Sequence, residues 1–219
     1  MVTYAQLRHN EAINTYIAKA DESLKALGYT EHSFAHVTKV AATGRYILHT
    51  LGYSERLVEL VQIAGYLHDI GNLVNRVDHS QSGAIMAFRI LDKLGMPAAD
   101  IAEVATAIGN HDEGTGVPVS PMAAALILAD KSDVRRSRVR NHDKTTFDIH
   151  DRVNYSVRRS RVTIREKQKE IVLDLTVDTR YGSVMDYFEI FMNRMLLCRK
   201  AAETLGLTLR LYINEQPLL

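Results

Sequence analysis

The sequence predicts a mainly α protein: a helical bundle over residues 1–140, then a small extension over 141–219 built as an antiparallel β-hairpin, a helix and a last strand. Three observations carry this expectation. Through about residue 135 the apolar positions recur three and four apart, the spacing of one buried helix face. Around residue 160 the period changes to that of strands, with Val, Ile and Thr enriched. Between the segments stand residues that start or stop helices, among them Ser54, Gly95, Pro97 and Ser120-Pro121.

Taken in order, Thr3 with Gln6 has the spacing of a capping box, opening a helix that runs to about Gly28. His36, Val37, Val40, Ala41 and Ile47 mark a second helix, stopping near Gly52. Ser54 caps a third, whose Leu57, Val61, Ala64 and Leu67 lead into His68-Asp69. Ala84, Phe88, Leu91 and Leu94 define a fourth, closed by Gly95; Pro97 suits the first turn of a fifth, ending about Ile108. Ser120-Pro121 repeats that start before Met122 to Asp133. Beyond a boundary near 140–152, Arg161–Ile164 and Ile171–Val177 read as strands joined by a charged turn at Lys167–Lys169. A helix from Ser183 to Leu205 and a strand from Leu207 to Ile213 complete the chain. The Tyr187, Phe188, Ile190, Phe191, Met195 stripe is expected to be core.

Composition narrows the function classes. Lys and Arg total 27 against 26 Asp and Glu, so no global field favours nucleic acid or an anionic membrane surface. No apolar stretch approaches a membrane span, and Met1–Asn10 lacks the pattern of a signal peptide. The single Cys198 excludes an internal disulfide and fits a reducing cytosol. The expectation is a soluble cytoplasmic protein.

The chemistry lies in a relay of ligand-type residues: His36, His68-Asp69, His79, His111 and Asp130. A His-Asp pair alone means little, because the sequence has others at 111–112, 142–143 and 150–151. The setting of the first pair is what matters. In Leu67-His68-Asp69-Ile70-Gly71 it ends an apolar helical run and is followed almost at once by glycine, which places two side chains where the helix stops. Asp130 follows the apolar run 125–129, and a carboxylate buried there needs a partner. Neutral imidazoles and carboxylates suit a borderline divalent metal.

His36-Val37-Thr38-Lys39-Val40-Ala41, His68-Asp69-Ile70-Gly71 and Asp130, in that order on helices, resemble the HD-domain metal-dependent phosphohydrolases over about residues 30–135. His79-Ser80-Gln81-Ser82-Gly83-Ala84 and His111 are similar to the binuclear branch, which includes HD-GYP cyclic-dinucleotide phosphodiesterases and HD-type diadenosine tetraphosphate hydrolases. The resemblance implies two divalent transition-metal ions, Fe or Mn before Co or Ni, held by His36, His68, Asp69, His79, His111 and Asp130. Two such ions about 3.5–4 Å apart would share Asp69 and hold a hydroxide between them, with His68 and Asp69 serving different ions. The implied reaction is hydrolysis of a phosphoester or phosphoanhydride in a nucleotide-like substrate by that metal-bound hydroxide. Two departures stand out: Asn72 occupies a place where many relatives carry lysine, and the 110–118 stretch lacks the Gly-Tyr-Pro of the HD-GYP group.

Beside the ligands, Lys131 is a candidate catalytic residue with Asp69, and either Lys131 or Asp133 could position phosphate or orient a ligand. From 131 to 165 the chain carries eleven Lys and Arg against four Asp, a charge excess that would steer a polyanionic substrate. No aromatic platform is interleaved with these charges, so nucleic acid is not expected. His32, one turn before His36, is a candidate neighbour of the site; His9, His49, His142 and His150 read as surface residues. Homodimerisation is open, and so is the role of the extension. Two alternatives remain on the sequence alone: a non-catalytic, metal-stabilised HD binding module, and a di-iron oxygenase on the same scaffold.

Overall fold

The computed structural model describes residues 2–219. Seven helices form the first part: α1 (Tyr4–Arg8), α2 (Glu11–Ala26), α3 (Phe34–Thr50), α4 (Glu55–Leu67), α5 (His79–Lys93), α6 (Ala98–Gly109) and α7 (Pro121–Lys131). The Thr3–Gln6 capping box forms, but the single helix expected up to Gly28 is two. Asn10 breaks it, because its side chain accepts from the Ile13 amide and starts α2 afresh. Ser54 and Ser120 cap α4 and α7 as expected, with Pro121 in the first turn of α7. On α5 the buried face is Gly83, Ala87 and Leu91, while Phe88 and Leu94 from the expected stripe are exposed. Small side chains bring α5 close to α6 and to the Ile70–Leu73 turn.

α7 is buried from Met122 through Lys131, the pattern of a helix enclosed on all sides. α3 and α4 pack on each other and on α7, and their contact is tight. A Cβ at Gly65 would lie 2.8 Å from the Ala41 backbone. This close crossing brings the start of α3 to the end of α4, where His36 and His68 sit.

After residue 140 the chain forms α8 (Ile149–Ser156), a helix the sequence reading did not anticipate. β1 (Val157–Arg165) and β2 (Glu170–Val177) then make the expected antiparallel hairpin, its turn closed by Lys169 at φ 52°. α9 (Val184–Thr204) crosses back and β3 (Thr208–Ile213) pairs parallel to β2; a short β4 (Gln216–Pro217) follows antiparallel. A helix between two strands returns the chain to the same end of the sheet, which is why the third strand is parallel. α9 packs on α7, and one buried cluster runs from Leu7 through Val61 and Leu126 to Cys198 and Leu211. Among the described residues no helix is long and apolar enough to cross a membrane.

Candidate metal centre

Five local features deliver six side chains to one place. Ser33 caps α3 and sets His36 in its first turn; α4 ends at His68, and Asp69 follows it into the 3-10 turn Ile70–Leu73. His79 opens α5, His111 lies just past α6, and Asp130 is on the last turn of α7. All six are buried. Gly71, expected as a helix-ending glycine, does not adopt a positive φ. It is required by contact: a Cβ there would fall on the His79 carbonyl oxygen and the Gly83 amide. The α4 end and the α5 start can touch only through glycine.

The six divide into two adjoining sets. In the first, His36 Nε2 lies 3.3 Å from His68 Nε2, 3.3 Å from Asp130 Oδ1 and 3.5 Å from Asp69 Oδ2; His68 Nε2 is 3.2 Å from Asp69 Oδ2 and 3.6 Å from Asp130 Oδ1. Ligand atoms about 2.0–2.2 Å from one ion stand about 3.0–3.6 Å from each other, so the spacing fits a cation at the centre. In the second, His79 Nε2 lies 3.3 Å from His111 Nε2, 3.7 Å from Asp69 Oδ1 and 3.9 Å from Asp112 Oδ1. Asp69 faces the first set with one oxygen and the second with the other. His68 and Asp69 both face His36 and Asp130 in the first set, and their ligand atoms also lie within 4.8 Å of one another and of His111, so both stand at the border of the two sets.

The outer hydrogen bonds determine which ring nitrogens are free. His36 Nδ1 donates to Asp133 Oδ2 at 2.8 Å, His68 Nδ1 to the Gly65 carbonyl at 2.9 Å, His79 Nδ1 to the Arg76 carbonyl at 3.1 Å and His111 Nδ1 to the Ile108 carbonyl at 2.6 Å. Each partner is an acceptor, so each neutral imidazole turns an Nε2 lone pair inward. Arg76 Nη1, 3.4 Å from His79 Nε2, is a donor and agrees with this assignment. With every imidazole neutral, four lone pairs and two carboxylates converge there. Asp69 Oδ2 is buried without a hydrogen-bond partner. The cluster thus fits a bound cation.

Electrostatics point the same way. Burial disfavours a charged His68, yet Asp69 and Asp130 raise its pKa to about 10. Against the same burial, the surrounding carboxylates raise His36, while histidine and lysine charges hold Asp69 and Asp130 well below the usual carboxylate range. Burial keeps His111 neutral, assisted by the His68 and Lys131 charges. A proton on His68 is the smallest cation that answers this field.

Around the centre, Asp133 holds His36 as the sequence suggested and is itself held by Lys39 at 2.8 Å and Arg135 at 3.0 Å. Asn72 Nδ2 donates to Asp69 Oδ1 at 3.0 Å and to its carbonyl at 2.9 Å, fixing the shared carboxylate. Lys131 forms ion pairs with Asp130 Oδ2 at 2.8 Å and Glu113 Oε2 at 3.0 Å. A cleft of about 260 Å³ opens over the cluster, lined by Asp69, His79, His111, Asp130 and Lys131 and also by Arg76, Arg138 and Arg194. His32 lines it too, but precedes α3: the cap turn, not helix spacing, places its ring 5.5 Å from that of His36. His150, expected at the surface, is exposed on the cleft wall; His9, His49 and His142 are exposed elsewhere. Sequence reasoning missed Asp112, Glu113 and Arg194 as members of this site. Asp112 and Glu113 follow His111 directly, a signal within reach; Arg194 gives none, since its neighbours read only as helix core.

The basic excess of 131–165 is mostly consumed internally. Arg135 pairs with Glu31 and Asp133, Arg140 with Asp21, Arg158 with Asp178 and Arg159 with Asp174. Arg136 stacks on Tyr155, 4.3 Å from its ring centre. Of the set, Lys131 and Arg138 reach the cleft.

A family model described as HD domain matches residues 33–153, more than half of the chain, and encloses all six ligand-type residues. The protein belongs to the HD-domain family. It is 27% identical over 204 residues to the uncharacterized protein MJ1020 of Methanocaldococcus jannaschii, covering 82% of this chain and 77% of that one. It also resembles the crystal structure of a predicted HD superfamily hydrolase from an uncultured Thermotogales bacterium: 25% identity, 58% of this chain and 69% of that chain covered, TM-score 0.46.

Proposed function

We propose that the protein is a metal-dependent phosphohydrolase with a two-metal centre, acting on a phosphoester or phosphoanhydride of a nucleotide-like substrate. The observation that carries this reading is the inward convergence of four imidazole lone pairs and the two oxygens of Asp69 on two adjoining positions, beneath a cleft with cationic walls. His36, His68, Asp130 and Asp69 Oδ2 would hold one ion; His79, His111 and Asp69 Oδ1 the other. With no thiolate among the donors, Fe or Mn fits better than a structural zinc. Bound there, a divalent pair supplies acidity to water and neutralises charge developing at phosphorus.

The chain's own residues do the rest. Asp69 ties the two positions together, and Asn72 holds it in that bridging orientation. Asp133 keeps His36 in the tautomer that faces inward. Lys131, anchored by Asp130 and Glu113, presents its ammonium to the cleft where a phosphoryl oxygen would lie. Arg76, its Nη1 3.4 Å from Asn72 Oδ1, brings a guanidinium to the cleft beside Asn72.

Elemental analysis tests the reading. Wild type should carry about two transition-metal ions per chain, with His79→Ala and His111→Ala both falling towards one. Asp69→Ala should remain folded and lose turnover of a generic phosphodiester. One ion unaffected by the His79 and His111 changes, or activity unchanged in Asp69→Ala, would refute it.

A further inference from the structure

Among the described residues, Arg194 is the one arginine or lysine lining the cleft from outside the segment matched to the HD domain; it sits midway along α9. Its surroundings differ from those of Arg138, which spends its Nε on the Glu31 carbonyl at 2.8 Å and its Nη1 on the Asp133 carbonyl at 2.7 Å. Those bonds clamp the segment after α7 to the start of α3, and they are structural. Arg194 makes one hydrogen bond, from Nη2 to Glu113 Oε1 at 3.2 Å, and its Nε is buried with no partner. The guanidinium carbon lies 4.1 Å from the centre of the Phe191 ring. Arginine has five N–H donors in a fixed fork that matches phosphate oxygens, and a largely buried fork with most donors unused is costly unless something else engages them.

Charge sharpens the point. Glu113 spans two cations, Lys131 through Oε2 and Arg194 through Oε1, and Lys131 also serves Asp130. Asp130 also faces His36 and His68 through Oδ1, so Glu113 is the one carboxylate that Lys131 and Arg194 share between themselves.

We propose that Arg194 is a substrate-binding residue, taking a second phosphoryl group next to the one over the metal centre, so that the cleft is specific for substrates carrying at least two anionic groups. This rests on the reading of the cleft as a phosphoester site and adds to it a specificity determinant supplied by the C-terminal extension. Glu113 holds the guanidinium in place by Nη2 and leaves the other donors to the ligand.

The test is titration calorimetry with inorganic pyrophosphate and inorganic phosphate, on the metal-loaded and metal-free protein, with metal per chain measured in each variant. Arg194→Ala should weaken pyrophosphate binding at least tenfold with metal content unchanged. Arg194→Lys, which keeps the charge but not the fork, should be several-fold weaker than wild type, and it decides the matter if the alanine variant does not fold. Unchanged binding in the Arg194 variants would overturn the proposal. So would a loss of metal in Arg194→Ala that accounts for its weaker binding, since Arg194 would then serve only to support the centre. Absence of pyrophosphate binding by wild type in both states would overturn it too. Failure to load metal refutes the two-metal reading separately, because the metal-free titration still reports on Arg194.

Discussion

At the scale of single residues, each imidazole in the centre is governed by what its outer nitrogen touches. Three of the four donate Nδ1–H to the carbonyl three residues before, so their inner lone pairs follow from local backbone; His36 depends on Asp133, 97 positions away. Asp133→Asn keeps the volume but removes the charge that stabilises that tautomer, and metal affinity should fall about 10–100-fold. Competition with a chelator measures it, and an unchanged affinity would show that His36 is oriented without Asp133. The proton on His68 gives a pH dependence with a defined sign. Its pKa rises from 6.5 in the unfolded chain to about 10, so in metal-free protein its stabilising contribution is complete below pH 6.5 and is lost as pH climbs towards 10. Asp69 and Asp130 are depressed, so theirs is present above the ordinary carboxylate range and is lost in acid. The thermal midpoint of metal-free protein should therefore decline from pH 6.5 to 10, while metal loading at neutral pH releases a proton and abolishes that decline. Melting curves, with calorimetry in two buffers of different ionisation enthalpy, check both; a flat alkaline limb would contradict the assignment.

At the scale of elements, the centre exists because helix ends meet. The end of α4, the start of α5 and the end of α6 each place a ligand-type side chain at a terminus, and the meeting of the first two depends on Gly71. Gly71→Ala should destabilise the fold by about 1–3 kcal/mol or more, because the added methyl strikes backbone, which cannot rotate away. It should also separate His79 from Asp69, so loss of metal at the second position accompanies the loss of stability. Denaturant unfolding and metal analysis report the two effects, and a stable variant with full metal would show that the α4–α5 junction has slack. Element existence was legible in the caps and periods: Ser54, Ser120-Pro121 and Gly95 all act as read. The break at Asn10 and the short α8 were not, because a capping side chain competes with the apolar period over a single turn.

At the scale of the whole molecule, the extension completes the site. α9 packs on α7, the helix that carries Asp130 and Lys131, and sends Arg194 to Glu113. Cys198, four residues further along α9, lies with Leu128 of α7, Val162 of β1, Leu173 of β2 and Leu209 of β3. Burial pushes its thiol up to about 12. One buried cluster joins both parts, so the chain should unfold in a single transition, with Cys198 labelled by a disulfide reagent only as fast as the whole molecule opens. Labelling faster than global unfolding would mean that the extension detaches by itself.

The sequence by itself determined the helical bundle, the order of its elements and the six ligand-type residues, because each leaves a local trace: an apolar period, a cap, or a His-Asp pair at a helix end. The tertiary structure alone decided which histidines each Asp69 oxygen faces, that His36 is the ligand-type residue Asp133 meets, and that Asp112, Glu113 and Arg194 belong to the site. Those relations join residues up to 97 positions apart through helix crossings and tightly packed glycines, and no local pattern in the chain encodes a distance of that kind.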